Sequence, residues 1–139
     1  MTQLSPYLKF DGNCHEAMTF YQKCLGGELS LQAVEETPMA AQMPAEAQKK
    51  ILHATLTHGG IVLMASDMVG PEGLVHGSTI FLSLDCGSEE EIKTFFSKLS
   101  AGGQVTYPLK TEFWGATFGQ VIDKYGMTWL LNYTQNPPE

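Results

Sequence analysis

The sequence predicts an α+β fold in which two tandem βαβββ modules form a curved mixed sheet around a central cavity, with the helices outside. Two helix-like segments with one pattern begin 75 residues apart, each follows a strand-like run, and three further strand-like runs follow each helix. We expect a first module at residues 1–67, a linker at 68–77 and a second module at 78–139, forming one structural domain. A chain of 139 residues can bury a core without disulfide or metal.

The first module opens with a strand at residues 6–10, and its helix follows. Asn13 has an N-cap residue type, and Glu16 three positions later makes a variant of the capping box. Apolar residues then recur at helical spacing: Ala17, Phe20, Tyr21, Cys24 and Leu25. Gly26 and Gly27 end the predicted helix, because glycine accepts the left-handed conformation there.

Three more strands are expected in the first module, at residues 28–34, 51–57 and 61–66. Residues 58–60 have the glycines of a hairpin turn. The stretch 35–50 makes this module longer than the second, and its Ala, Met, Pro and Gln content predicts a loop with a short helix.

The second module repeats this order, starting with a strand at residues 78–86. Ser88 and Glu91 form a capping box, and Gly102 and Gly103 end the helix. Its apolar positions are Ile92, Phe95, Phe96 and Leu99. The remaining strands are expected at residues 104–109, 116–123 and 128–134, with a turn at 124–126.

Strand alternation gives each sheet one apolar face, suited to a helix, and one mixed face that carries hydroxyls, an amide and a histidine. In the third strand, His53 and Thr55 oppose Ala54 and Leu56. The apolar face of the fifth strand is predicted to be Ile80, Leu82 and Leu84. A mixed face turned inward suits a small-molecule pocket, because such pockets combine apolar walls with a few polar anchors. The alternative is that the mixed faces meet solvent.

The candidate ligand-binding residues come from these faces and from one aromatic connection: His53, Thr55, Met64, Phe81, Ser83, Trp114 and Leu130. His53 is either a hydrogen-bonded structural residue, a ligand contact or a general base. Trp114 belongs to a pocket rim, a dimer contact or the core. Asp67, directly after Ser66, is typical of a residue that caps a turn. No catalytic residue is predicted.

Composition excludes several classes of protein. Eight Lys and Arg against 15 Asp and Glu give a net charge of −7, which argues against nucleic-acid binding. No apolar run is long enough to span a membrane, and the first residues lack the features of a signal peptide. An odd number of cysteines without metal-type spacing fits a reducing compartment, so we expect a cytoplasmic protein.

The chain resembles the vicinal-oxygen-chelate superfamily of glyoxalases, extradiol dioxygenases and fosfomycin- and bleomycin-resistance proteins, and within it the PhnB-like branch. The residues that carry the resemblance are Pro6-Tyr7-Leu8-Lys9-Phe10, Gly12-Asn13-Cys14, Glu16-Ala17, Phe20-Tyr21, Leu25-Gly26, His53-Ala54, Met64-Ala65-Ser66-Asp67, Phe113-Trp114, Phe118-Gly119, Asp123-Lys124-Tyr125-Gly126 and Trp129. That branch has been labelled phosphonate-related and demethylubiquinone methyltransferase-like. The sequence has no glycine-rich loop of the kind that holds a nucleotide-like cofactor, so the second label gains no support.

The resemblance implies a divalent metal held by His and Glu of the first, fourth, fifth and last strands. These positions fall at Pro6, at Val62 or Met64, at Thr79 and at Leu130, and none of them is a usual ligand. We therefore expect the usual metal site to be absent and no cofactor to be needed. A metal bound elsewhere in the chain stays an open alternative.

These observations favour a homodimeric small-molecule-binding protein whose ligand lies between the paired sheets. The alternative is a lyase, isomerase or dioxygenase-like enzyme of the same superfamily that uses a shifted metal site or His53 as its base. A third possibility is a structural or interaction protein whose cavity is filled by side chains. The sequence leaves open whether the protein is an enzyme and whether its subunits exchange modules, as members of this superfamily do.

Overall fold

The computed structural model describes residues 2–134. The chain forms two compact units, and the boundary between them along the sequence falls between Val75 and His76. Residue 1 and residues 135–139, which include the end of the predicted second module, lie outside the described residues. Each unit contains one four-stranded sheet and one α-helix.

The first unit has the predicted βαβββ order. Its elements are β1 (Tyr7–Lys9), α1 (Cys14–Leu25), β2 (Glu28–Ala33), β3 (Ile51–His58) and β4 (Ile61–Ser66). The sheet order is β1-β4-β3-β2, in which β1 runs parallel to β4 and the other pairs are antiparallel. Three short 3₁₀ helices occupy the long connection between β2 and β3: Val34–Glu36, Pro38–Gln42 and Ala45–Ala47.

The second unit repeats this arrangement. Its elements are β5 (Leu82–Asp85), α2 (Glu89–Ser100), β6 (Gln104–Thr111), β7 (Ala116–Ile122) and β8 (Thr128–Thr134). The sheet order β5-β8-β7-β6 matches that of the first unit, and β5 again runs parallel to β8. The predicted α+β duplication is thus confirmed, as two separate four-stranded sheets rather than one continuous sheet.

The apolar stripe of each helix packs on one face of its own sheet. In α1 the buried residues include Ala17, Tyr21 and Leu25, as the spacing predicts. They face the buried side of β3, which carries Ala54 and Leu56. Burial of these side chains, at about 25 cal/mol per Å² of apolar area, is the main term that stabilises each unit. The opposite face of the sheet is left to the mixed set of residues.

A glycine follows each helix where the chain passes close to a neighbouring strand. A Cβ atom on Gly27 would lie 2.3 Å from the carbonyl oxygen of Thr57, and Gly27 has φ +98°. A Cβ atom on Gly103 would lie 2.3 Å from the carbonyl oxygen of Ile122. The duplicated glycines therefore let the chain that follows each helix pass close to a strand of the sheet.

The fifth strand is shorter than predicted. Residues 78–81 lie outside it, and β5 begins at Leu82, which pairs with Trp129 of β8. Because β8 begins only one residue earlier, at Thr128, little partner strand remains for the preceding residues. Ile80 is 80% exposed, so its place on the predicted apolar face is wrong.

The two helix N-termini differ in how they are capped. Ser88 caps α2 as predicted, because its Oγ accepts the backbone N–H of Glu91 at 3.0 Å, while the Glu91 carboxylate accepts that of Gly87 at 2.9 Å. The predicted cap at Asn13 is wrong: its backbone is not extended (φ −114°, ψ 20°) and its side chain makes no capping bond. Asp67 takes that role.

Within residues 2–134, neither α-helix approaches the length of about 20 apolar residues that crossing a bilayer requires.

Candidate functional site

Three of the predicted site residues lie together on the mixed face of the first sheet. Tyr7 of β1 pairs with Met64 of β4, and Met64 pairs in turn with Thr55 of β3. His53 lies two residues before Thr55 on the same strand, so both side chains share this face. We call Tyr7, His53, Thr55 and Met64 the first-sheet cluster. The helix α1 packs on the opposite face.

His53 is held by a hydroxyl at each ring nitrogen. The Nε2 atom lies 3.1 Å from Thr55 Oγ1, and Nδ1 lies 3.5 Å from the Tyr7 hydroxyl. The rings of Tyr7 and His53 are tilted by 39° with centroids 5.9 Å apart. A neutral imidazole has one N–H donor and one acceptor nitrogen, and a hydroxyl can serve either. The ring is therefore oriented and half-buried.

Lys9 extends the cluster at the end of β1. It lies two residues after Tyr7, on the same face, and its Nζ is 5.2 Å from the centroid of the Tyr7 ring. The ammonium donates a hydrogen bond of 2.9 Å to the carbonyl oxygen of Met68. A positive charge thus stands beside the aromatic ring that contacts His53.

Asp67 fixes the backbone behind this face. Its side chain is 2% exposed; Oδ1 accepts the N–H of Gly12 at 2.8 Å and that of Cys14 at 2.9 Å, and Oδ2 accepts that of Ile51 at 2.8 Å. One carboxylate therefore caps α1 and ties the end of β4 to the start of β3. Negative charge at a helix N-terminus is also favoured by the helix dipole.

A groove of about 300 Å³ lies on the first unit, beside Asp67, between the segment that follows β4 and the last 3₁₀ helix. It is lined by Asp11, Met43, Ala47, Lys50, Asp67, Met68, Val69, Gly70, Pro71 and Gly73. Lys50 Nζ and Asp11 Oδ1 stand 3.8 Å apart, which makes a weak, solvent-exposed ion pair.

The predicted site residues of the second module do not all lie on one face of its sheet. Ser83 of β5 pairs with Leu130 of β8, so these two share the mixed face of the second sheet. Phe81 lies before β5 and is 42% exposed, so its predicted place on the strand face is wrong. Trp114 lies in the turn between β6 and β7 and is 57% exposed.

Strand register separates Trp114 from Leu130. The turn that holds Trp114 leads into Ala116, which pairs with Thr134, whereas Leu130 pairs with Gln120 further along the same two strands. Trp114 instead packs edge-on against Phe113, with ring centroids 5.0 Å apart. It belongs to an exposed aromatic turn rather than to the mixed face.

The second module contains a polar contact that sequence reasoning missed. The Tyr107 hydroxyl donates a 2.5 Å hydrogen bond to Glu112 Oε1, and this bond raises the pKa of Tyr107. The Phe118 ring meets the Tyr107 ring edge-on at 5.3 Å. Nothing in the spacing of Tyr107 and Glu112 distinguishes this pair from ordinary surface residues.

The residues at the metal positions that the resemblance implies do not fit a divalent metal. Pro6 precedes β1, Thr79 precedes β5, and Val62, Met64 and Leu130 offer no carboxylate or imidazole. Over the described residues, no group of three or more His, Cys, Asp or Glu side chains is placed to hold an ion. No chemical step is therefore assigned to a metal at these positions.

The buried thiols should be unreactive at neutral pH. Burial, with a contribution from Asp67, raises the pKa of Cys14 to about 12; burial, followed by Glu91 and Asp85, raises that of Cys86 to about 12. The folded state keeps these thiols protonated up to a higher pH than the unfolded chain, in which their pKa has the ordinary value of about 9. Their contribution to the stability of the folded protein is therefore complete below pH 9 and is lost as the pH rises towards 12. We expect slow iodoacetamide labelling of the native protein at pH 7.4 and a free energy of unfolding that falls through this alkaline range. Rapid labelling of either residue in the native protein would contradict this assignment.

Comparison with known proteins places this geometry in a family. The family model described as 3-demethylubiquinone-9 3-methyltransferase matches residues 2–132. Protein YjdN of Escherichia coli is 37% identical over 97% of both chains. Protein PA1353 of Pseudomonas aeruginosa has a crystal structure that matches at a TM-score of 0.84 and 37% identity, covering 98% of this chain and 100% of that one.

Two further structures connect the chain to a wider fold. The PhnB protein of Bacillus cereus, which is also named for the same methyltransferase, matches at a TM-score of 0.73 and 28% identity, over 95% of this chain and 99% of its own. A glyoxalase/bleomycin resistance protein/dioxygenase from Nocardioides shares the fold at a TM-score of 0.60 and 20% identity, over 100% of this chain and 89% of its own. The predicted resemblance is confirmed: the chain belongs to the PhnB-like family whose model carries the 3-demethylubiquinone-9 3-methyltransferase description, and it shares the fold of glyoxalase/bleomycin resistance/dioxygenase proteins.

Proposed function

We propose that this protein binds a small organic molecule on the mixed face of its first sheet, through the first-sheet cluster. The observation that carries the proposal is His53, held between the hydroxyls of Tyr7 and Thr55 on the face opposite α1. A histidine ordered by two side-chain hydroxyls at a partly exposed position is prepared to bind a polar group.

The cluster has the composition of a ligand site. Tyr7 is 44% exposed and offers an aromatic surface, and Met64 beside it offers an apolar surface that adapts to shape. His53 and Thr55 supply the polar contacts that fix the orientation of a ligand. For the second module, Ser83 and Leu130 stay predictions for the mixed face of its own sheet, and Phe81 and Trp114 stay predicted ligand contacts outside its strands.

The comparisons support small-molecule chemistry without identifying the ligand. The Nocardioides protein that shares this fold is named as a glyoxalase/bleomycin resistance protein/dioxygenase. All three terms refer to proteins that act on or bind small molecules. Fold alone does not transfer an activity. The methyltransferase description of the family gains no support from the site, since the cluster has no glycine-rich loop to hold a methyl-donating nucleotide.

A second candidate is a lyase or isomerase that uses His53 as general base. It is favoured by the two hydroxyl contacts of His53, which fix the ring while leaving a route for a proton. Incubation of screening hits with the protein, followed by mass spectrometry, tests it. Product formation that His53→Ala abolishes supports an enzyme, and unchanged hits support a binding protein.

The variant His53→Ala should lose ligand binding while remaining folded. A metabolite library screened by thermal shift will reveal ligands of the native state, because a ligand that binds only the folded protein raises Tm. We expect the hits to lose their shift in His53→Ala, since the alanine removes both polar contacts of the ring.

The matched control is His15→Ala, which removes an exposed histidine of α1. It should keep every shift. Hits that shift wild type and His53→Ala equally would place the ligand elsewhere and contradict the proposal.

We further propose a homodimer and a cytoplasmic location. Phe113 is 96% exposed and stacks edge-on with Trp114, a costly apolar surface that a second subunit would cover. All three cysteines are buried thiols rather than disulfides, as in proteins of reducing compartments. Light scattering coupled to size exclusion tests the dimer: a monomer mass at micromolar concentration would contradict it.

A further inference from the structure

We propose that the ligand of the first-sheet cluster carries an oxoanion, a carboxylate or a phosphoryl group, and that Lys9 binds it. This inference rests on the proposed function and adds the chemical class of the ligand. It follows from where Lys9 stands and from the uncharged cross-strand partners of Thr55 and His53.

The position of Lys9 places its charge beside the cluster. Its Nζ lies 5.2 Å from the centroid of the Tyr7 ring, and the Tyr7 hydroxyl lies 3.5 Å from His53 Nδ1. The ammonium, the aromatic ring and the imidazole are therefore contiguous. An oxoanion bound at Lys9 would leave the organic part of the ligand against Tyr7 and its cross-strand neighbour Met64.

The hydrogen bonding of Lys9 fixes the ammonium without neutralising it. One N–H donates to the carbonyl oxygen of Met68 at 2.9 Å, and an ammonium has three such donors. By contrast, Lys49 and Lys93 each meet a carboxylate at 3.0 Å, Glu35 and Glu89 respectively. A carbonyl partner orients Lys9, and the positive charge remains for a ligand.

The direct cross-strand partners of the cluster on β2 are uncharged: Ser30 pairs with Thr55, and Gln32 pairs with His53. The carboxylate on this face, Glu28, lies one pair further along, opposite Thr57. Among the cluster, Lys9 and these two cross-strand partners, Lys9 therefore carries the permanent positive charge. In a chain of net charge −7, an anion is repelled on average, so a bound anion needs such a local positive group. A lysine is a point charge that accepts carboxylate and phosphoryl oxygens alike.

The experiment compares probes of similar shape and different charge. Benzoate, phenyl phosphate and neutral benzamide are titrated while the NMR signals of the His53 ring and the Met64 methyl group are followed. We expect at least one anion to bind about tenfold or more tightly than benzamide, as a charge-assisted hydrogen bond allows. The two anions distinguish carboxylate from phosphoryl recognition. Binding should weaken with added salt, because Lys9 is exposed.

Three variants separate the outcomes. Lys9→Met should remove the preference for the anion and leave benzamide unchanged, and Lys9→Arg should restore much of it. Lys124→Met is the matched control, because Lys124 belongs to the second unit and its Nζ likewise lies near a tyrosine ring, 5.4 Å from the centroid of Tyr125. It should change nothing.

The inference and the proposed function fail in different ways. If benzamide shifts the His53 and Met64 signals as strongly as the anions do, or if anion binding survives Lys9→Met, the oxoanion assignment is overturned and the binding face stands. If no probe shifts these signals and the metabolite screen gives no hit that depends on His53, both are overturned.

Discussion

Replacing Asp67 by alanine is expected to lower the free energy of unfolding by roughly 3–5 kcal/mol, the largest effect of any side-chain truncation considered. The variant leaves the N–H groups of Cys14 and Ile51 without their acceptor in a buried position, and that of Gly12 in a part-buried one. It also removes the cap of α1, and caps contribute about 1 kcal/mol by themselves. Urea unfolding of wild type and variant measures the change.

Asp11→Ala is the control for this prediction. Asp11 is an exposed carboxylate in a 3.8 Å ion pair with Lys50, so its loss should cost less than about 1 kcal/mol. Asp67→Asn should fall between the two, because its amide keeps one acceptor oxygen. Equal midpoints for Asp67→Ala and Asp11→Ala would show that the three backbone bonds do not hold the first module together.

The second large effect is expected at the duplicated glycines. Gly27→Ala should cost roughly 3–5 kcal/mol, because its Cβ would lie 2.3 Å from a backbone oxygen and its φ of +98° strains any L-residue. Gly103→Ala should cost roughly 2–4 kcal/mol from the same 2.3 Å approach, here to Ile122. Thermal unfolding of each variant measures the loss.

Gly60→Ala is the matched control. A Cβ atom at Gly60 meets nothing within 4 Å, and its φ is not positive, so the variant should be neutral or slightly stabilising. A loss of 1 kcal/mol in the free energy of unfolding lowers Tm by about 4–8 °C at most in a small domain. If the Tm of Gly27→Ala or Gly103→Ala lay within about 1–2 °C of that of Gly60→Ala, the close approach of helix and strand would be contradicted.

Much of the fold was predictable because its signals are local and appear twice. Apolar spacing and terminal glycines define both helices. Ser88 caps α2 by accepting the backbone N–H of Glu91, only three residues along the chain. The same local pattern fails at Asn13, because Asp67, over fifty residues away along the chain, supplies the acceptor instead. Sequence reasoning assigned Asp67 to a turn since no local pattern indicates a buried carboxylate shared by three elements.

Strand ends depend on partners that the sequence does not reveal. Ile80 is in phase with the apolar positions Leu82 and Leu84, which predicts a longer strand, but pairing with β8 starts only at Leu82. Phe81 is consequently misplaced in the prediction. The sequence allows Trp114 at a pocket rim, at a dimer contact or in the core, and its exposure in the β6–β7 turn excludes the core.

The candidate site was predictable in part. His53, Thr55 and Met64 share a face because alternation and antiparallel pairing fix it. Tyr7 and Lys9 were missed as site residues because their role depends on the parallel pairing of β1 with β4, which brings Tyr7 opposite Met64. A short strand of three residues gives too little alternation to reveal which neighbour it will pair with.

Side-chain methyl NMR tests most directly whether a ligand binds on the mixed face of the first sheet. The protein is titrated with the compound that raises its Tm the most, and methyl signals of the two faces of β3 and β4 are compared. The proposal predicts shifts at Thr55 and Met64 and quiet signals at Ala54, Leu56 and Ala65, which face α1. Shifts confined to Ala54, Leu56 and Ala65, or to the second module, would contradict it.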